Sequence, residues 1–504
     1  MPRPRTSQPR PIDAHRVRGH HDQHRPPWPP NPNLSREGAR VPREGSAVMT
    51  VEGSAGPTVI REVSKARFDA FVGYCRAPEV AKLAHEVAWL GADDNSVFAL
   101  MIVDLDWEFS AIVFLPDLLG RFRWANQTGF FATAREAGAA LEELLTKVLA
   151  EVDEQRVQGD EAGATVDFFV PLVAEERLHV NFKRVRDERG HSSARQLINV
   201  MMRWYADRDG NFIEQFQTNG FDARVWELYL WATLISLGYE VTQPDPSPDF
   251  VARGLAGSFA IEATTANPRR DQSGVVVPSY KPESEEDLPR YVDHYLPIRF
   301  AGPLTSKLGK RYWERPGISE IPLVFAVQDF HADFSMMHSI GGLMAYLYGI
   351  SVHDVVDNTG RTARIDTHAW GEKQVPSRFF ELPDAENVSA VIFNSQGTLA
   401  KFSRMGIEAG FQRDDVRILH GGLLLVASDE GIQQRAFSGE VKPDYWEDWI
   451  TGMEVFHNPR ALRPLDPTWL PGAVHHILTE EGNVQSLYPE RHVVQAQTLV
   501  IEST

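Results

Sequence analysis

The sequence predicts a mixed α/β protein of the α+β type, because helical and strand-like hydrophobic patterns alternate along most of its 504 residues. Residues 221–237 carry apolar side chains at the spacing of a helix that packs against a core. Residues 259–265 alternate as a strand does, which places Glu262 and Thr264 on one face. Residues 78–90 are predicted to be a helix near the N-terminus.

Composition and pattern divide the chain into four segments. Residues 1–48 contain nine arginines and ten prolines against four acidic residues, and are predicted to be a disordered, basic, proline-rich extension. Residues 49–205 are predicted to form an N-terminal α+β domain. Residues 206–335 form the predicted core, and residues 336–504 form a C-terminal α+β extension.

Charge and cysteine content exclude several classes of function. A formal net charge of −18 argues against general adhesion to nucleic acid or to an anionic membrane, so any nucleic-acid contact must be local. The single cysteine, Cys75, excludes an intrachain disulfide and a cysteine-ligated metal, and a cytoplasmic location is expected. No apolar run reaches the roughly 18–20 residues that cross a membrane. HEXXH, P-loop, GxSxG and CxxC motifs are absent from the sequence.

Three carboxylates in the core segment suggest a metal site. Glu227 lies within the apolar arc of its helix, and Tyr229 and Thr233 belong to the opposite, polar stripe. Asp249 opens a strand after a proline-rich turn, and Glu262 lies within the next strand. Two carboxylates about 5 Å apart repel by about 3 kcal/mol at an effective dielectric constant near 20, so such a cluster keeps a proton or binds a cation. Oxygen ligands alone favour Mg²⁺ or Mn²⁺.

A purely structural alternative exists for each of these three residues. Glu227 could pair with a nearby arginine such as Arg224, Asp249 could cap a turn, and Glu262 could be a charge on an edge strand.

The order of these residues resembles that of the PD-(D/E)XK nuclease superfamily, which has a restriction-endonuclease-like fold. The matching features are Glu227 on a helix, Pro248-Asp249 at the start of a strand, and Glu262 followed two residues later by Thr264. The resemblance implies a core of helix, three strands, helix and strand. It also implies that Asp249 and Glu262 bind Mg²⁺ or Mn²⁺, that Glu227 supports them, and that the protein cleaves DNA or RNA. The catalytic lysine of the family falls at Thr264, where this sequence differs.

The missing positive charge is predicted to come from the following helix. Lys307 borders an apolar stripe of Leu304, Leu308 and Tyr312. We therefore expect Lys307 to point towards the carboxylates, whereas Lys310 should point away. With Lys310 and Arg311, Lys307 also forms a local basic cluster that could bind a nucleic-acid backbone. The alternative is a solvated helix face.

A second function is compatible with the same residues. Because Thr264 replaces the lysine, the chain could be a catalytically silent nuclease-like scaffold that binds nucleic acid or a protein partner. Residues 350–504 also resemble part of a group of bacterial proteins, some of them labelled glycosaminoglycan attachment site proteins. That label would rest on little more than a Ser-Gly dipeptide and indicates no activity. In this region Lys401 and Arg404 are predicted to be surface charges.

Overall fold

A computed structural model describes residues 48–53, 56–163, 165–207, 210–273, 275–355, 362–428, 431–443 and 445–503. The extension predicted at residues 1–48 lies outside this part of the chain, except for Val48, which begins the first strand. The protein is a mixed α/β structure, as the sequence predicted.

The N-terminal part contains an antiparallel sheet of six strands in which each strand pairs with the next along the chain. The elements are β1 (Val48–Gly53), β2 (Gly56–Glu62), α1 (Lys65–Val72), β3 (Ala84–Ala92), β4 (Phe98–Asp104), β5 (Phe109–Pro116), β6 (Phe122–Gln127) and α2 (Ala134–Ala150). Helix α2 begins at a capping box, in which Thr133 and Glu136 each accept a hydrogen bond from the backbone N–H of the other.

The helix predicted at residues 78–90 is wrong, because β3 occupies most of this segment. Only Pro78–Lys82 forms a helical turn, of the 3₁₀ type. Strand β3 pairs with β2 on one side and β4 on the other. Backbone pairing with two neighbours outweighs a local pattern that also suits a helix.

Short helices connect this sheet to the rest of the chain. They are α3 (Val152–Gln155), α4 (Val180–Asp187), α5 (Ser192–Met202) and α6 (Phe212–Gln217).

The central part has the predicted order of helix, three strands, helix and strand. Its elements are α7 (Phe221–Ser236), β7 (Glu240–Thr242), β8 (Phe250–Arg253), β9 (Ser258–Ala266), α8 (Leu288–Arg290), a π-helical turn (Tyr291–Tyr295), α9 (Leu296–Leu308) and β10 (Leu323–Asp329). Strand β8 pairs antiparallel with β7 on one side and with β9 on the other, and β10 runs parallel to β9.

The C-terminal part extends the same sheet. Its elements are α10 (Ser339–Tyr348), β11 (Ile350–Val355), β12 (Thr362–Arg364), β13 (Thr367–Trp370), β14 (Lys373–Pro376), β15 (Ala390–Asn394), α11 (Leu399–Glu408), β16 (Val416–Ser428), β17 (Gly431–Glu440), β18 (Met453–His457), β19 (Val474–Leu478), β20 (Val484–Leu487) and β21 (Arg491–Glu502). The large sheet has eight strands in the order β20-β19-β18-β15-β10-β9-β8-β7. The sheet therefore includes strands from both the predicted core, residues 206–335, and the predicted C-terminal extension, residues 336–504.

Two hydrophobic clusters cover the two faces of the large sheet. Ile261 of β9 packs in one cluster with Trp226 of α7, and this cluster continues to Phe68 beside the N-terminal sheet. Ala260, which faces the other way, packs in a second cluster with Leu304 of α9. Strand β9 is thus buried on both faces, which fixes the position of any polar side chain on it. Among the described residues, no helix combines the length and hydrophobicity needed to span a bilayer.

Lys401 and Arg404 are buried, so their prediction as surface charges is wrong. Both lie on α11 and are at most 1% exposed. Their common partner is Glu447, whose carboxylate accepts hydrogen bonds from Lys401 Nζ at 2.7 Å and Arg404 Nε at 2.6 Å. Burial alone would raise the pKa of Glu447, but the two cations hold it well below its usual range. Sequence alone gave no sign that the distant Glu447 would join them.

We expect Glu447→Gln to lower the free energy of unfolding by about 3 kcal/mol, because it leaves two buried cations without an anion. Urea unfolding of the purified variant measures this. The matched control is Glu440→Gln, which removes the partner of the exposed Arg417 and should leave the unfolding midpoint unchanged. An equal effect of the two substitutions would contradict a stabilising role for the buried cluster.

Candidate active site

Helix α7, which carries Glu227, is buried on most of its sides. The prediction that Tyr229 and Thr233 lie on a polar stripe is wrong, since they are 0% and 1% exposed. Tyr229 is accommodated by donating a hydrogen bond to the backbone oxygen of Trp449, and Thr233 by donating to its own helix. Glu227 is less buried than these neighbours, with 12% of its side chain exposed.

Within the described part of the chain, Glu227 has two hydrogen-bond partners. Arg224, one turn earlier on α7, donates from Nη1 to Oε2 at 2.6 Å, and the Tyr205 hydroxyl donates to the same oxygen at 3.3 Å. Burial raises the pKa of Glu227, and Arg224 partly opposes that rise. The alternative pairing of Glu227 with Arg224 is therefore present in the structure.

Asp249 lies immediately before β8 and contacts the neighbouring strand β9. Its Oδ2 accepts a hydrogen bond from the backbone N–H of Ala263 at 2.7 Å, and its own N–H donates to Glu262 Oε2 at 3.3 Å. Burial, followed by the negative charges of Glu262 and Glu227, raises the pKa of Asp249 to about 8. Asp249 is thus close enough to both glutamates for their charges to act on it.

Glu262 lies in the interior of the sheet, because β9 is paired on both sides, with β8 and β10. The expectation of an edge-strand charge therefore does not apply. Its side chain is only 4% exposed, and its Oε1 accepts a 2.6 Å hydrogen bond from the Tyr312 hydroxyl. The ammonium group of Lys307 donates to the same oxygen. Burial and the charge of Glu262 raise the pKa of Tyr312 well above its usual value, which keeps its hydroxyl a donor.

The residues predicted for the site separate into two groups: one lies together, and the other, Lys310 and Arg311, lies apart from it. Asp249, Glu262 and Lys307 lie together, and Glu227 acts on Asp249 through its charge. Thr264 is half-buried on β9, two residues after Glu262 and on the same face.

Lys310 and Arg311 do not form a basic surface with Lys307. Lys307 points inwards, and α9 ends at Leu308, so helical spacing no longer applies to the residues after it. Arg311 has a left-handed backbone conformation and pairs with Glu314 at 3.1 Å and Asp384 at 3.6 Å. Lys310 is exposed.

Two tyrosines, Tyr312 and Tyr205, belong to the site although the sequence pattern does not predict it. Tyr312 lies on the predicted apolar stripe. A buried tyrosine usually requires a partner for its hydroxyl, and that requirement is the available signal in the sequence. Tyr205 lies 22 residues before Glu227, and no local pattern indicated their contact.

The charges of the site balance when Asp249 holds a proton. By formal charge, Glu227 and Glu262 then match two cations, Arg224 and Lys307. Ionised Asp249 leaves one negative charge in excess, which a divalent cation could neutralise. Glu227 and Asp249 also line a cavity of about 80 Å³ with Asp207 and Asn211, which offers oxygen ligands and room for water.

A ready-made metal site is not present in the described part of the chain, where no three His, Cys, Asp or Glu side chains are grouped to hold an ion. Two carboxylates beside a cavity of about 80 Å³ are compatible with an Mg²⁺ site that keeps several water ligands. Searches of family models, curated proteins and solved structures found no match to this chain.

Proposed function

We propose that this protein is a metal-dependent phosphodiesterase that cleaves DNA or RNA, with a restriction-endonuclease-like core. The observation that carries the proposal is the contact of Lys307 with Glu262 beside Asp249. This contact supplies a positive charge from α9 where the PD-(D/E)XK pattern has a lysine and this sequence has Thr264. The order α7-β7-β8-β9-α9-β10 supports the same assignment.

The residues present fit a cation held by Asp249 and Glu262. Mg²⁺ or Mn²⁺, when bound, would activate water and stabilise the charge that develops on the phosphate. Lys307 would stabilise developing charge or move a proton, while Tyr312 holds Glu262 in place. Glu227 would orient a water molecule in the cavity that it shares with Asp249.

A cleavage assay tests this function. Wild-type protein with Mn²⁺ should cut labelled single- or double-stranded DNA or RNA, and EDTA should abolish the cleavage. Glu262→Gln should reduce the rate by about 10²–10⁴-fold, because the amide keeps a hydrogen-bond acceptor for Tyr312 but not the charge that binds metal. Glu240→Gln, an exposed position on β7, is the matched control and should cut as wild type does. Absence of cleavage on all four substrates would reject the proposal.

A catalytically silent scaffold that binds nucleic acid or a protein partner is a second candidate. The burial of Glu262 and the two donors on its Oε1 favour this candidate. Lys307 and Tyr312 both donate to Oε1 of this nearly buried carboxylate, so only Oε2, which accepts from the Asp249 N–H, is left to bind a metal ion. If this candidate is right, wild type should bind oligonucleotides or a protein partner but cleave neither DNA nor RNA. Thr264→Lys would then be the substitution able to restore weak activity.

A further inference from the structure

A second cavity, of about 750 Å³, opens on the N-terminal sheet and has no part in the candidate active site. It lies between α1, the segment before β3 and one face of the sheet. Its apolar lining includes Phe68 and Val72 from α1, and Leu100, Ile102 and Phe114 from β4 and β5, all at most 7% exposed. Its volume and its lining are those of a small-molecule site.

The mouth of this cavity carries exposed apolar side chains. Trp124 is 55% exposed and Val80 is 47% exposed, and both line the cavity. Trp204 lines it as well, with the Arg121 guanidinium 5.8 Å from its ring centroid. Flat groups thus border the opening, and flat aromatic surfaces favour a flat ligand.

The charges on the cavity wall are already paired. The three guanidinium groups contact carboxylates at 2.6–2.7 Å, namely Arg76 with Glu86, Arg121 with Asp117 and Arg123 with Asp160. An ionic ligand would have to displace one of these partners and would be desolvated without a new one. A neutral ligand meets no such cost.

The cavity wall is connected to the candidate active site. Trp204 lines the cavity, and Tyr205, the next residue, donates its hydroxyl to Glu227. The ring centroid of Tyr74 lies 6.2 Å from that of Trp204. The Tyr74 ring also stacks on Trp231 of α7, with 4.8 Å between the ring centroids. A ligand that moves Trp204 would therefore act on both the partner of Glu227 and the helix that carries it.

We propose that this cavity binds a neutral, flat aromatic molecule, and that its binding changes the rate of cleavage through the contact of Tyr205 with Glu227. The second half of this proposal rests on the nuclease function proposed above, whereas the binding site does not.

Binding is tested with two fluorescent probes that differ by one charged group. N-phenyl-1-naphthylamine is neutral, and 1-anilinonaphthalene-8-sulfonate carries a sulfonate on the same rings. We expect saturable 1:1 binding of the neutral probe, and binding at least about tenfold weaker for the sulfonate. Equal or tighter binding of the sulfonate would overturn the assignment of a neutral ligand.

The position of the site is tested by filling the cavity. Ala84→Trp adds an indole at a residue that lines the cavity and should weaken binding of the neutral probe at least about tenfold. Leu83→Trp is the matched control, because Leu83 is 59% exposed and does not line the cavity, and it should bind as wild type does. Circular dichroism and melting temperature show whether both variants fold. Undiminished binding in folded Ala84→Trp would overturn the proposed site.

The coupling is tested by measuring Mn²⁺-dependent cleavage with and without saturating neutral probe. We expect at least about a twofold change in wild type and in Leu83→Trp, and no change in Ala84→Trp. A cleavage rate that is the same with and without bound probe would overturn the coupling. Probe binding without cleavage in any variant would reject the nuclease function and this coupling with it, while leaving the ligand site supported.

Discussion

Replacing Lys307 by alanine should abolish Mn²⁺-dependent cleavage and destabilise the protein. We expect the rate to fall by about 10²–10⁴-fold, because Lys307 supplies the only ammonium group that contacts Glu262 among the described residues. We also expect the free energy of unfolding to fall by about 3–5 kcal/mol, because a nearly buried carboxylate loses its cation. Cleavage assays and urea unfolding measure the two effects.

Three further variants separate catalysis from stability. Lys310→Ala, at an exposed position three residues later, should change neither property. The double variant Lys307→Ala/Glu262→Gln should recover much of the lost stability but none of the activity, because the neutral amide no longer needs a cation. Thr264→Lys should be neutral or harmful, because the site already holds a lysine. Full activity in folded Lys307→Ala would contradict the assigned role.

Asp249→Asn should make the protein more stable at alkaline pH and inactive at every pH. Because the pKa of Asp249 is raised to about 8 in the folded protein, its contribution to stability is complete below its unfolded pKa, near 4. That contribution is lost as the pH rises towards 8. Asparagine does not ionise, so its advantage over wild type should grow by up to about 1.4 kcal/mol per pH unit between pH 5 and pH 8.

Urea unfolding at pH 5 and pH 8 in EDTA measures this difference, and cleavage with Mn²⁺ should be at least about 10³-fold slower in the variant. The asparagine oxygen can still accept from the N–H of Ala263, so the local backbone contact is retained. If the variant is less stable than wild type by the same amount at both pH values, Asp249 is a structural residue, and burial and the neighbouring carboxylates do not destabilise its ionised form.

The elements around the site could be predicted because their signals are local. The apolar spacing of α7 and the alternation of β9 are readable from neighbouring residues, and β9 indeed places Glu262 within the sheet. Lys307 was expected to point towards the carboxylates from its position beside an apolar stripe of the next helix, and its ammonium group contacts Glu262.

Other features depend on contacts between distant residues and have no local signal. Tyr229 lies on a predicted polar stripe but is buried, because the C-terminal residue Trp449 supplies an acceptor for its hydroxyl. Lys401 is buried for a similar reason, since Glu447 neutralises it. Strand β3 lies where a helix was predicted, because two neighbouring strands pair with it.

Anomalous diffraction from crystals soaked in Mn²⁺ shows directly whether Asp249 and Glu262 bind a metal ion. We expect one strong peak bonded to carboxylate oxygens of both Asp249 and Glu262, at about 2.0–2.6 Å from each, with Glu227 near the water ligands of the ion. In crystals of Asp249→Asn the peak should disappear. A wild-type structure at saturating Mn²⁺ with no peak between Asp249 and Glu262, and with Lys307 still on Glu262, would contradict the metal-dependent nuclease.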